Sequence, residues 1–301
     1  MKPAYTHITR TFFACLFSSP FSGITKIIYV CVLLFVISSQ AFAKTSAWSE
    51  DKFIKARLLS AQNSITKNME TLDAAVEIIL EPEWHTYWRT PGDIGLPPQF
   101  DWENSENLKS ATVSWPVPKR YETEGFQNFV FFDRVVLPVR IKPVKSEEDI
   151  KLDLTVKAMV CKDICIPQTM SVHLEIPKNS SQTTPTMSEN TLIIEKAKQA
   201  LPFRDRLPGT GIENVVVGKK ALIVTAFDQR GFADTDIFVE IPGLYLASPP
   251  ELKFENEKGT QAIFKIPSQG LEENLSDLVD GKDIVITLVN RGRAVEKKFQ
   301  F

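Results

Sequence analysis

Leu152–Pro167 reads LDLTVKAMVCKDICIP, with three residues between Cys161 and Cys165. Apolar and polar residues alternate toward Cys161, and a second strand-like arm runs from Cys165 to Ile176. Such period-two patterns on either side of a short polar connection, Lys162-Asp163-Ile164, predict a β-hairpin with the two cysteines facing each other at its tip. Directly opposed residues bring their Cβ atoms to about 4.5–5.5 Å. A disulfide needs roughly 3.5–4.5 Å, so a small adjustment suffices.

Outward from the hairpin, residues 44–178 alternate apolar runs with turn signals. Strands are expected over Thr71–Leu80, Ala111–Trp115, Phe129–Val144 with a break near Asp133, Lys151–Cys161 and Cys165–Ile176. Frequent prolines (Pro82, Pro91, Pro97, Pro98, Pro116, Pro118, Pro138, Pro143, Pro167) disfavour long helices and suit short strands with edges and bulges. A polar linker follows over 179–188. Glu189–Leu201 is the one expected helix, with Leu192, Ile193, Lys196 and Ala197 at helical spacing, Ser188 as its cap and Pro202 as its stop. Residues 212–301 return to six or seven short strands, with hairpin-like connections at Gly218–Lys220 and Asn290–Arg293. The expected fold is therefore all-β: two immunoglobulin-like antiparallel β-sandwich domains, 44–178 and 212–301, joined by a linker and one short helix over 179–211.

Residues 1–43 read as a signal peptide. Lys26 precedes an apolar run, Ile27–Ile37, which leads to Ala41-Phe42-Ala43, an A-x-A cleavage site. About 11 apolar residues are too few to span a bilayer as a helix. Cleavage would remove Cys15 and Cys31 and leave Cys161 and Cys165 as the only thiols, in an oxidising compartment where disulfides persist. The expected location is the periplasm. The segment also takes Lys2, Arg10 and Lys26 with it, leaving 32 basic against 37 acidic side chains. A mildly acidic chain without a basic stripe has no field for phosphate backbones, which excludes nucleic acid as a partner.

Three chemistries suit the cysteine pair. A purely structural staple is one of them, and its weakness is magnitude. So short a loop restrains chain entropy by on the order of 2 kcal/mol, little for a domain of this size. Metal binding would need more ligands than two thiolates; His85 and His173 are the only histidines beyond residue 43, and Met159 and Met170 are candidate soft ligands for copper(I). Thiol–disulfide exchange needs only the pair and a thiolate. Lys162 would lower a thiol pKa and Asp163 would raise it. No metal site or organic cofactor motif stands out, and neither does a hydrolase triad or a phosphate loop. The second sandwich holds no cysteine or histidine, so a packing or docking role is expected of it.

Three stretches taken together carry a resemblance: EPEWHTYWRTPGDIGLPP (Glu81–Pro98), FDRVVLPV (Phe132–Val139) and VCKDICIP (Val160–Pro167). In this order they resemble the N-terminal periplasmic domain of the thiol:disulfide interchange protein DsbD, in the variant of the ScsB (suppressor-of-copper-sensitivity) branch. The resemblance spans most of residues 70–178. It implies an immunoglobulin-like sandwich with a redox-active pair. Such a domain takes electrons from a DsbD-type inner-membrane transporter and passes them to periplasmic thioredoxin-fold proteins, including those of cytochrome c maturation. It implies that Cys165 attacks the oxidised partner and Cys161 resolves the mixed disulfide, so that an enzyme reading would be a protein-disulfide reductase. Trp84 and Tyr87 match aromatic residues of the family's active-site surround. A cap loop would fall near Tyr121–Phe129, with Phe126 and Phe129 as candidate shields. Two departures stand out. The best-known members space the cysteines more widely, and this sequence, ending at Phe301, carries neither a multi-span membrane domain nor a thioredoxin domain. Those parts are then expected from another polypeptide. A non-catalytic sandwich that binds copper(I) or a protein, and an assembly subunit docking through the second sandwich, stay open as alternatives.

Overall fold

The structure, a computed structural model, describes residues 44–179, 181 and 183–301. The expected signal peptide over 1–43 lies outside the described residues. In chain order the first half contains β1 (Ser49–Asp51), β2 (Ile54–Ser60), β3 (Ile65–Thr66), β4 (Leu72–Leu80), β5 (His85–Gly92), β6 (Gln99–Asp101), β7 (Leu108–Val113), β8 (Lys119–Thr123), β9 (Phe126–Phe132), β10 (Arg134–Pro143), β11 (Ile150–Cys161), β12 (Cys165–Ile176) and β13 (Lys178–Asn179). Helix α1 (Thr191–Gln199) follows. Then come β14 (Phe203–Arg204), β15 (Arg206–Leu207), β16 (Thr210–Val217), β17 (Ala221–Asp228), β18 (Asp236–Ile241), β19 (Leu244–Leu246), β20 (Glu251–Phe254), β21 (Gln261–Pro267), α2 (Leu275–Leu278), β22 (Asp283–Asn290) and β23 (Arg293–Gln300).

The all-β expectation holds. One sheet runs β1-β2-β4-β10-β7; facing it is a sheet in the order β12-β11-β5-β9-β8, with β6 also paired to β11. Alternation explains the layering: Ile150, Leu152, Leu154, Val156, Ala158 and Val160 of β11 are buried in the core between the sheets, and the odd-numbered residues face out. Two further sheets, β14-β23-β22-β18-β19 and β15-β16-β17-β21-β20, enclose a second core that includes Val224, Phe264, Ile286 and Leu288. The short strands β14 and β15 join these sheets ahead of β16, upstream of the strands read from the sequence.

Several local expectations are corrected. The break near Asp133 is a left-handed residue, φ 56°, that separates β9 from β10. Strand β5 carries Pro91, and its pairing with β9 shifts register between Tyr87 and Gly92; the irregularity hides the strand from a period-two reading. The polar stretch before the helix is tethered rather than free. Ser188 donates its backbone N–H to Ala61, and Met187 bridges to Gln62. Ser188 is not the helix cap. Asn190 holds that position without a side-chain cap bond, while the Ser188 hydroxyl donates to the Ser60 carbonyl and accepts from the Asn190 N–H. The helix buries Ile194 and Ala197, with Ile194 against Leu59, Ala61 and Ala75, and leaves Leu192 exposed.

The second sandwich meets the first at the far end of β5 and β9. Phe238 of β18 lies edge-on to Phe129 (centroids 4.9 Å apart) and Trp88 (5.7 Å) and belongs to the first core. Around this plug, Arg89 binds Glu240 and Glu296, Thr90 donates to Glu240 at 2.9 Å, and Arg120 grips Asp236 and the Ala247 carbonyl. Partly buried, bidentate Arg–carboxylate pairs add directionality that the apolar plug lacks. Phe238→Ala is expected to cost about 3–5 kcal/mol and to loosen Trp88, read as a lower denaturant midpoint together with a red-shifted tryptophan emission.

Candidate functional site

The predicted hairpin forms with the predicted register. Cys161 and Cys165 are direct partners at the end of the β11–β12 ladder and are joined as a disulfide. Odd numbering puts both on the outer face of their sheet. Their environments differ. Cys161 is 2% exposed, whereas Cys165 lies exposed at the tip.

What buries Cys161 is a second small apolar cluster on this outer face, made of Tyr87 and Val130 with Tyr121, Phe132 and Met159 packed around them. The Tyr87 hydroxyl donates to Cys161 Sγ at 3.1 Å and lies 3.8 Å from Cys165 Sγ. Burial pushes the phenol pKa up, so the O–H stays a donor. Tyr87 is itself held from above. Gly95, at φ +94°, lies so close that a Cβ there would stand 2.2 Å from the Tyr87 ring. The loop carrying Gly95 is tied to β9: Asp93 exchanges backbone and carboxylate bonds with Gln127, and the Ile94 N–H donates to Asn128. The Gly92-Asp93-Ile94-Gly95 motif thus presses one tyrosine onto one sulfur.

Of the four surround residues named from the sequence, the structure brings Tyr87 to the pair. Trp84 stacks on Phe53, with ring centroids 3.8 Å apart, and packs against the main core. Phe129 faces inward, against Trp88 and Phe238. The outward positions of β9 are Val130 and Phe132. In the run Phe129-Val130-Phe131-Phe132 every residue is apolar, so the sequence alone does not show which parity faces the cysteines. Phe126 is 45% exposed beside the Glu124-Gly125 turn, so the region expected as a cap loop is the tip of the β8–β9 hairpin. Lys162 is bound to Glu83 at 2.6 Å, so its charge is already paired. The soft-ligand set is not gathered: Met170 lies in the core, and His173 stands on β12 beside Asp153, eight residues or about 26 Å of strand from Cys165.

Sequence reading missed His85. It is the register partner of Cys161 across β5 and β11, so its side chain shares the outer face. Its ring packs against Tyr87, Tyr121 and Phe132, with centroids 5.2–5.5 Å apart. It is 2% exposed, and neither ring nitrogen has a hydrogen-bond partner among the described residues. Burial lowers its pKa to about 4. The sequence separation between His85 and Cys161 left no local signal of this contact.

An outer-face disulfide at a hairpin tip, half covered by aromatic side chains, defines a β-sandwich of the thiol–disulfide type. Residues 51–176 match the family model described as "Thiol:disulfide interchange protein DsbD, N-terminal"; this part of the chain belongs to the family of DsbD N-terminal domains. Residues 202–301 match a model described as "Domain of unknown function (DUF8393)". Among solved structures, the N-terminal periplasmic domain of ScsB from Proteus mirabilis is similar with a TM-score of 0.64 and 17% identity, over 86% of this chain and 98% of that one. At that identity the likeness is one of fold, and it extends across both sandwiches. Comparison with curated proteins gives no match. Among the described residues, no helix is long and apolar enough to cross a membrane.

Two predictions follow from this geometry. With the disulfide intact, His85 in the unfolded chain takes up a proton near pH 6.5 and in the folded chain only near 4. Stability should therefore fall as pH drops through that window, by about 3 kcal/mol at most, and urea melts of His85→Phe should lack that part of the slope. Gly95→Ala forces a methyl group into the Tyr87 ring and should cost about 1–3 kcal/mol, whereas Gly125→Ala, with nothing within 4 Å of its Cβ, pays only for its left-handed backbone, about 1 kcal/mol. Paired urea titrations compare the two.

Proposed function

We propose that this chain is a periplasmic electron-relay module of the protein-disulfide reductase type. It would take electrons from a DsbD-type inner-membrane transporter and deliver them to periplasmic thioredoxin-fold proteins through Cys161 and Cys165. The observation that carries this reading is the unequal exposure of the two sulfurs: one is open to a partner and the other is sheltered under Tyr87. Family membership of residues 51–176 supports it.

The exchange runs as follows. In the dithiol form, the Cys165 thiolate attacks one sulfur of the partner's disulfide. That S–S bond breaks, the partner's other sulfur leaves with the electron pair and takes up a proton, and a mixed disulfide remains. The Cys161 thiolate then attacks Cys165 Sγ, re-forming the intramolecular bond and releasing the second partner thiol. Two electrons and two protons pass to the partner. The membrane transporter restores the dithiol by the reverse sequence. Exposed Ile164 at the tip offers apolar contact for a docking partner.

The expected outcome is that Cys161→Ala accumulates a mixed disulfide through Cys165 with thioredoxin-fold proteins in periplasmic extracts, identified by mass spectrometry after non-reducing electrophoresis. Cys165→Ala should trap little, because Cys161 is covered. Equal trapping by both variants, or none by either, would contradict the reading.

A further inference from the structure

His85 is a buried imidazole placed where packing alone would favour phenylalanine. Its ring neighbours are two phenols and a phenyl ring, its register partner is Cys161, and neither of its nitrogens is hydrogen-bonded among the described residues. Buried polar groups are nearly always paired, so an orphan of this kind calls for a reason. While the disulfide is closed, Cys161 has no proton to exchange and the imidazole has nothing to do. Opening the bond creates a thiol on the strand position directly across from it.

We propose that His85 is the proton acceptor for Cys161 in the dithiol state. This deepens the relay reading above and rests on it. The proton leaves Cys161 Sγ for a ring nitrogen of His85, giving an imidazolium–thiolate pair, and the Tyr87 hydroxyl keeps its hydrogen bond to the same sulfur. The thiolate's electron pair then forms the bond to Cys165 Sγ, the partner's sulfur leaves with its own pair, and the proton on His85 is released to that leaving thiolate or to solvent. Histidine returns to the neutral form as the disulfide closes, so each redox cycle loads and unloads one proton at this site.

The surroundings restrict what else can titrate there. The rings against it are Tyr87 on β5, Tyr121 on β8 and Phe132 on β9, and Cys161 is its register partner on β11, so two phenols and the thiol are the titratable groups that share its face. The charges of the adjoining turns, Glu83 and Lys162, are bound to each other and exposed, and Lys119 of β8 is exposed. With no carboxylate in the ring's contact shell, a thiolate is the anion that can hold a proton on it. In the oxidised form, where that anion is missing, desolvation keeps the imidazole neutral to about pH 4.

The test follows the His85 ring carbon–proton signals by NMR against pH in the disulfide and dithiol forms of the unmodified protein, with exposed His173 as internal reference. The expected result is a His85 midpoint at least one pH unit higher in the dithiol form; equal midpoints in the two forms would overturn the proposal. The second measurement isolates the Cys161 thiol in Cys165→Ser and follows its ultraviolet thiolate absorbance. His85→Phe should raise the thiol pKa by about one unit, a roughly tenfold smaller thiolate fraction near neutrality. Superimposable curves with and without His85 would also overturn it. Because Cys161→Ala traps partners without any proton on residue 161, loss of that trap tests the relay alone, and loss of the pKa coupling tests His85 alone.

Discussion

The hydrogen bond from Tyr87 to Cys161 is the contact on which the site depends. It makes two chemically identical cysteines unequal. One sulfur is packed under a phenol and an aromatic cluster, and its partner is left at an exposed tip. Everything around it serves that asymmetry. The β11–β12 ladder sets the cysteines side by side, and β5 supplies Tyr87 and His85 from the same outer face. The loop through Gly95 closes down on the tyrosine ring, where any larger residue would push it off the sulfur. Outer-face burial of this kind is unusual in a sandwich, whose outward positions ordinarily meet water, and it is achieved here by the β8–β9 hairpin folding its aromatic residues over the strand.

The second sandwich bears on the same strands from the other side. Trp88 and Arg89 follow Tyr87 immediately in β5, and Arg120 faces Phe129 across β8 and β9. All four engage the second sandwich through Phe238, Glu240, Glu296 or Asp236. Alternation thus divides one strand between two tasks: Tyr87 goes to the sulfur and Trp88 goes to the plug. A module without cysteine or histidine among its residues thus touches the strand that carries the site's tyrosine.

Legibility followed the physics of each element. The β11–β12 hairpin was readable almost to the residue, because one face is core and the other is largely polar, so period-two alternation is clean. The same holds for β17, β21 and β22. Strand β5 was not readable, since Pro91 and the register shift interrupt the pattern. The inward turn of Phe129 was not readable either: β9 is apolar on both faces, and a four-residue apolar run carries no phase. The stacking of Trp84 on Phe53 was not readable for a related reason, as Phe53 sits in the turn between β1 and β2, far from Trp84 in sequence.

The sequence by itself determined that two cysteines oppose each other at a hairpin tip on an all-β scaffold, because spacing and alternation are local properties of the chain. It also carried the motifs that place residues 51–176 in the DsbD N-terminal family. Only the tertiary structure decided which cysteine is sheltered, that Tyr87 shelters it, and that His85 stands across from it. Those facts depend on which strand lies beside β11 and on the phase of that pairing, and such long-range register is set by the packing of the whole sheet rather than by any stretch of sequence.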